Sequence, residues 1–261
     1  MKGIRFISTA CLSVALLAGS NHSAFSQTVI SASKYPIKIT KSGSYILKSN
    51  LVPPTNTTAI DIQANNVSVD LNGFAIIGTP TVPNVRAIHQ SSGTGVYLRN
   101  GQVSGLCIGL GQNALVEDII ALNCTSTDAI DVGPNSTVLR SQALSGHDSG
   151  IVCGGPGNNC LFADDVATAN PVNGIVCIGS GCNFARNTTN GNGSIGTGNG
   201  LDCNGSACLF DGNVSNNNLG YWLSAFDHTS AATGNLLNGN GIAPINTAAS
   251  LGNNLCNGSP C

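Results

Sequence analysis

Charged side chains are scarce in this chain: Lys, Arg, Asp and Glu make up 8% of its 261 residues, against about a quarter in an average soluble protein. Aromatic residues are 5%, with one Trp and one Met. The net charge is −2, and most of the few basic residues fall in the first hundred positions. Nucleic acids and anionic membranes require clustered Lys and Arg, so neither is an expected partner. Past the N-terminal stretch no apolar run reaches the roughly 20 residues needed to span a bilayer. What fills the space is 33 Gly and about thirty Asn, on a background of 41% hydrophobic residues. That much apolar surface supports a buried core and excludes a disordered chain. The length fits one domain, or two at most.

The first 26 residues read as a secretory signal. Lys2 and Arg5 precede an apolar core from about Ile7 to Ala18, and Ala24-Phe25-Ser26 places small residues at −3 and −1 of a cleavage before Gln27. A secreted or periplasmic location in a bacterium is the resulting expectation. Cleavage removes Cys11 and leaves ten cysteines, an even number suited to an oxidising compartment. Cys177/Cys182, Cys203/Cys208 and Cys256/Cys261 each enclose four small or turn-forming residues, and Cys153/Cys160 enclose a slightly longer Gly/Pro/Asn turn. Such spacers bring Cα atoms to disulfide distance, and local pairing leaves Cys107 for Cys124. Connectivity between neighbouring repeats is the alternative. A zinc site is disfavoured, because His89, His147 and His228 lack ligand spacing with the cysteines. No metal and no cofactor is expected.

Internal repetition sets the fold. Short segments recur at Ala59-Ile60-Asp61-Ile62, Ala129-Ile130-Asp131-Val132, Gly150-Ile151-Val152-Cys153, Gly174-Ile175-Val176-Cys177 and Gly200-Leu201-Asp202-Cys203. Second elements align on Val116, Val138, Leu161, Asn183, Leu209 and Ala231, with Phe162, Phe184 and Phe210 in one column. The apolar runs are too short for helices and are broken by Gly and Asn, the residues that tolerate φ > 0 at sharp corners. Like residues at a period of about 22 mean stacked units, each burying its apolar side on the next. The expected fold is all-β: a parallel β-helix (β-solenoid) of about ten coils with capped ends, near 50 Å long at about 4.8 Å per strand. We divide the chain into a signal (1–26), an N-terminal cap and first strands (27–58), coils (59–240) and a C-terminal cap with a disulfide loop (241–261). Tyr221-Trp222-Leu223, which breaks the small-residue pattern, is expected to help close the far end.

Over residues 31–106 the chain resembles secreted bacterial right-handed parallel β-helix repeat proteins of pectin lyase-like architecture. The resemblance rests on Tyr35-Pro36-Ile37 leading to Ser42-Gly43-Ser44-Tyr45-Ile46-Leu47, on Val67-Ser68-Val69-Asp70-Leu71-Asn72-Gly73-Phe74, and on Val96-Tyr97-Leu98-Arg99-Asn100-Gly101. It implies a right-handed coil and, for the enzymes on this scaffold, action on polysaccharides through carboxylates on one exposed face. Asp164, Asp165 and His147 resemble the acid–base set of a polygalacturonase, with the histidine preceding the Asp pair where those enzymes have it following. The R-x-K clamp is missing, since Arg186 is followed by Asn187-Thr188.

Stacking gives the same charges a structural reading. Asp164 with Arg186, and Asp118 with Arg140, fall one coil apart as cross-strand pairs. Asp61, Asp131 and Asp202, between inward apolar neighbours, are expected to face solvent, as is His147 in its loop. Asparagines at successive corners either stack as an amide ladder or offer donors and acceptors to neutral sugars. Tyr97, Tyr221 and Trp222 are the available sugar-stacking aromatics. The leading function is a secreted module that binds glycans or cell-surface material without catalysis. The alternative is a hydrolase or lyase of polysaccharides. The oligomeric state has no signature in the sequence.

Overall fold

The computed structural model describes residues 26–261 apart from 33, 156, 158, 195–197, 243, 244 and 247. The proposed signal, with Cys11, lies outside the described residues except for Ser26. Among the described residues every regular element is a strand, most of them three residues long. The strands stack as a parallel β-solenoid of about ten turns. One side is a ten-stranded sheet that starts at Ile37–Ile39 and ends at Ile245–Asn246. The rest of each coil supplies strands to a nineteen-stranded sheet, for instance Leu161–Ala163 and then Val166–Thr168. Among the described residues all strand pairings are parallel but one: Leu255–Cys256 folds back on Ser259–Pro260 in an antiparallel hairpin.

Alternation puts one set of side chains inside. Ile60, Ile88, Ile108, Ile130, Ile151, Ile175, Leu201 and Leu223 are in register and fully buried. Val116, Val138, Phe162, Phe184, Phe210 and Ala232 form a second interior column. The rings of Phe184 and Phe210 stack with centroids 4.7 Å apart, and Phe162 lies 5.2 Å from Phe184. This register corrects the sequence alignment by one residue. Val116 and Val138 belong with Phe162, not with Leu161, because the coil between Val138 and Phe162 is lengthened by the Cys153–Cys160 turn. A one-residue slip would turn the valines outward.

The corners follow a two-residue rule. Among the described residues nineteen non-glycine residues have positive φ, and twelve of them are Asn. On the nineteen-stranded side the left-handed residue is repeatedly followed by a polar residue that points inward. Arg186 precedes Asn187, Gly212 precedes Asn213 and Gly234 precedes Asn235 at one corner. Ala169 precedes Asn170, Gly191 precedes Asn192 and Asn217 precedes Asn218 at the next. The inward amides stack as ladders. Asn187 donates from its backbone N–H (2.8 Å) and its Nδ2 (3.1 Å) to Asn213 Oδ1, and Nδ2 also reaches Phe162 O (3.0 Å). Asn213 repeats the pattern on Asn235, and Asn235 on Asn254. Asn170, Asn192, Asn218 and Asn240 form the second ladder. Asparagine therefore serves two ends: some residues make the corner, and others satisfy the buried backbone groups that the corner exposes.

Candidate functional site

The corner rule separates the two carboxylates proposed as a catalytic pair. Asp164 is the left-handed residue (φ 60°), points outward, and is clamped by Arg186 at 2.8 Å (Nε–Oδ1) and 2.7 Å (Nη2–Oδ2). The guanidinium holds its pKa below the usual carboxylate range. Asp165, the next residue, points inward and is 0% exposed. Its Oδ1 accepts the Ser141 N–H (2.8 Å), and its own N–H donates to Asn187 Oδ1 (3.0 Å). Asp165 thus stands in the first Asn ladder, in an asparagine's place. Its Oδ2 is buried without a partner, at the position from which the ladder amides donate. Burial pushes its pKa up to about 8, so the neutral acid is the main form at pH 7.

His147 lies past the other corner, six residues along the coil from Ser141, the residue stacked on Asp165, or about 20 Å of chain at about 3.3 Å per residue. It is exposed, with Nδ1 3.4 Å from Asp148 Oδ1. Asp164, Asp165 and His147 are therefore not brought together, and Asp165 cannot reach a polysaccharide. Arg140 makes the analogous ion pair with Asp118 (2.9 Å) and also binds Glu117.

The three aromatic residues do not share a surface either. Tyr97 is half-buried on the nineteen-stranded sheet; its hydroxyl donates to Glu117, and the Arg99 guanidinium lies 5.3 Å over its ring. Arg99 in turn pairs with Asp70 at 3.0 Å. Trp222 is 2% exposed and packs in the core next to the Leu223–Ala225 strand. That corrects its assignment as a binding residue: its indole fills a coil whose neighbours have small side chains. Tyr221 is six strand steps from the coil of Tyr97, about 29 Å at about 4.8 Å per step.

The cysteines pair as Cys107–Cys124, Cys153–Cys160, Cys177–Cys182, Cys203–Cys208 and Cys256–Cys261. Bridges of successive coils lie against one another. The sulfurs of Cys153, Cys160 and Cys182 come within 4.8 Å of each other, as do those of Cys177, Cys203 and Cys208. Each of these sulfurs is bonded to its partner, so none is a thiolate ligand in this state.

The concave polar feature sits on the outer face of the ten-stranded sheet. Its outward column runs Lys38, Asp61, His89, Gly109, Asp131, Val152, Val176 and Asp202. At Gly109 the column has no side chain, and a bulge between Arg86 and Ile88 swings Arg86 toward the gap. A Cβ at 109 would overlap the guanidinium. Arg86 Nη1 donates to Ile108 O (3.0 Å), and Nη2 lies 3.5 Å from Asp131 Oδ2. The result is a cavity of about 130 Å³ lined by Arg86, His89, Gln90, Gly109, Gly111 and Asp131, with Leu110. Gln90 is nine-tenths buried; its Oε1 accepts the Gly111 N–H (2.9 Å) and its Nε2 has no partner. Burial pushes Asp131 up to about 6, opposed by Arg86 and assisted by the nearby Asp128.

Asp131 and Asp61 are half-buried where solvent exposure was expected. Asp202 departs further, being 6% exposed, and burial raises its pKa. Sequence reasoning missed the notch because its signal is a missing side chain. Gly109 interrupts a column of outward polar residues, and only the register reveals the interruption.

No protein-family model and no curated protein matches this chain. Among solved structures, the crystal structure of the Dettilon tailspike protein (gp208) is similar, with a TM-score of 0.56 at 14% identity. The match covers 89% of this chain and 54% of the tailspike chain, so the chain spans about half of that protein's length. At that identity the likeness concerns the fold, and this chain shares a β-helical architecture with a tailspike.

Proposed function

We propose that the protein is an exported bacterial β-helix module of pectin lyase-like type that binds a glycan without turning it over, and that the Arg86–His89–Asp131 notch is its contact point. The observation that carries this reading is a shallow, hydrogen-bond-dense concavity on the outer face of the ten-stranded sheet, where Gly109 leaves the gap that Arg86 enters. Asp131 accepts, Arg86 and Gln90 Nε2 donate, and His89 does either. A pair of neighbouring sugar hydroxyls, each both donor and acceptor, matches that set. The volume admits the edge of a ring and not a whole ring, which suits reading a polymer from its side.

The test is retention and turnover on a panel of neutral and acidic polysaccharides, with Asp131→Ala and Arg86→Leu beside the parent. Loss of one carboxylate's charged hydrogen bonds, about 1.5–3 kcal/mol, should weaken binding at least ten-fold, with the circular dichroism and melting temperature of the variants as folding controls. Retention that both variants leave untouched would remove the notch from the proposal. One feature favours a second reading: Asp131 is a carboxyl raised to about 6, with His89 two strand steps away, and such a group can act as a general acid. New reducing ends or unsaturated products that vanish in Asp131→Asn would make the protein a hydrolase or lyase.

A further inference from the structure

The two ends of the rod are finished differently. At the C-terminal end the nineteen-stranded sheet closes in an antiparallel hairpin whose last strand contains Pro260, which has no N–H to offer. At the N-terminal end that sheet receives Thr28–Ile30 as an added edge strand on Gly43–Leu47. Among the described residues the ten-stranded sheet has no such added strand there, and Ile37–Ile39 is its first strand. Ile37 donates to Ala59 O (2.8 Å), and Ile39 O accepts from Gln63 N (2.8 Å). Alternate residues of a parallel strand bond to opposite sides. The N–H and C=O of Lys38 therefore face the open edge, where they have no partner among the described residues. An open space of about 580 Å³ runs along this edge, lined by Ser31, Lys34, Tyr35, Pro36, Ile37 and Lys38.

The charge of this end is of one sign. Residues 26–60 contain Lys34, Lys38, Lys41 and Lys48, all exposed, and no Asp or Glu; the twelve acidic residues of the chain all lie from Asp61 onward. None of the four lysines forms an ion pair among the described residues. Lys38 stands directly across from Asp61, yet both oxygens of Asp61 are taken, by Gln63 Nε2 and Ser91 Oγ at 2.6 Å each.

We propose that the Ile37–Ile39 edge is a docking site for an acidic extended segment of a partner protein, which joins the ten-stranded sheet as an eleventh strand with an acidic side chain beside Lys38. Charge selects the occupant. A second copy would bring either the same lysines, which repel when directly opposite, or, head to tail, the Ile245–Asn246 strand, which carries no acidic side chain. Residues 1–25 carry Lys2 and Arg5 and no acidic residue, so they do not complement the edge either. The pattern that does is apolar–acidic–apolar, the pattern with which Ile60-Asp61-Ile62 already covers the other side of the same strand. Backbone hydrogen bonds supply affinity in such strand addition, and the side-chain alternation supplies specificity.

The test uses the purified protein and three labelled peptides, read by fluorescence anisotropy at low and high salt. One peptide copies residues 58–64; the second has Lys in place of Asp61; the third copies the first with alternate amides N-methylated. The expected result is at least ten-fold tighter binding of the first peptide than of either other at low salt. Lys38→Glu, an exposed position whose melting temperature serves as the folding control, should invert the preference toward the lysine peptide. Equal affinity for the acidic and lysine peptides, binding undiminished by N-methylation, no binding at all, or an unchanged preference in Lys38→Glu would each overturn the proposal. So would a concentration-dependent dimer that Lys38→Glu abolishes, since a second copy would then be the occupant.

Discussion

At each corner of the nineteen-stranded side, one left-handed residue reverses the direction of its successor. Asp164 and Asp165 are adjacent in sequence and opposite in fate, one clamped by Arg186 at the surface and the other enclosed in an amide ladder. This has a measurable pH signature. Asp165 has a folded pKa of about 8, above an unfolded value near 3.9. Between those values the folded chain holds a proton that the unfolded chain has lost, so stability declines as pH rises from about 4 to about 8 and levels off above. Asp131, raised to about 6, contributes the same sign over the lower part of that window. Asp165→Asn should abolish the decline between pH 6 and 8 and reduce the decline below 6 to the share of the other raised carboxyls, Asp131 among them, as followed by urea midpoints at several pH values. It should also be more stable than the parent at pH 8. A parent and variant with parallel profiles would mean that Asp165 is ionised in the fold. Nothing in the sequence distinguishes this aspartate from an exposed one. Asp and Asn have nearly the same shape, and its role emerges only when Asn187, Asn213 and Asn235 are seen stacked on it.

The elements themselves are three-residue strands, each too short to persist alone, and what holds them is the columns that run through them. Phe184 touches a ring on either side, so Phe184→Ala should cost about 3–5 kcal/mol in denaturant unfolding. Asn213→Ala removes no apolar surface, but it strands the backbone N–H and one Nδ2 hydrogen of Asn187 together with the carbonyl of Phe184. At about 1–3 kcal/mol for each buried group left unpaired, its cost should rival that of the phenylalanine. An Asn213→Ala loss below 1 kcal/mol would show that water replaces the amide. The columns were legible in the sequence wherever one residue type repeats, as with Phe162, Phe184 and Phe210 or Cys153, Cys177 and Cys203. They were misread at Val116 and Val138, where the residues change type just as the coil lengthens. Trp222 was misplaced for a related reason: a large side chain among small ones reads as a surface feature, and here it fills the core.

For the molecule as a whole, four of the five bridges close loops of five to seven residues. Loops of that length are worth roughly 2 kcal/mol each in the chain-entropy treatment, and the three stacked in the middle reinforce one column. Reduction should lower the melting temperature substantially, and amide exchange in residues 151–216 should accelerate first; an unchanged melt in reductant would contradict this. The corner rule also reaches beyond stability. Each Asn ladder is handed from one coil to the equivalent slot in the next, and the ten-stranded sheet tolerates 20 to 28 residues between equivalent core positions, from Ile88–Ile108 to Ile60–Ile88. Segments between such positions are therefore interchangeable parts. A duplication or excision bounded by them, such as one beginning at Leu161 and ending at Cys182, rejoins the same bonds it interrupts. The rod can lengthen or shorten by genetic slippage in increments of one strand spacing, which makes it a ruler graduated by its own hydrogen bonds.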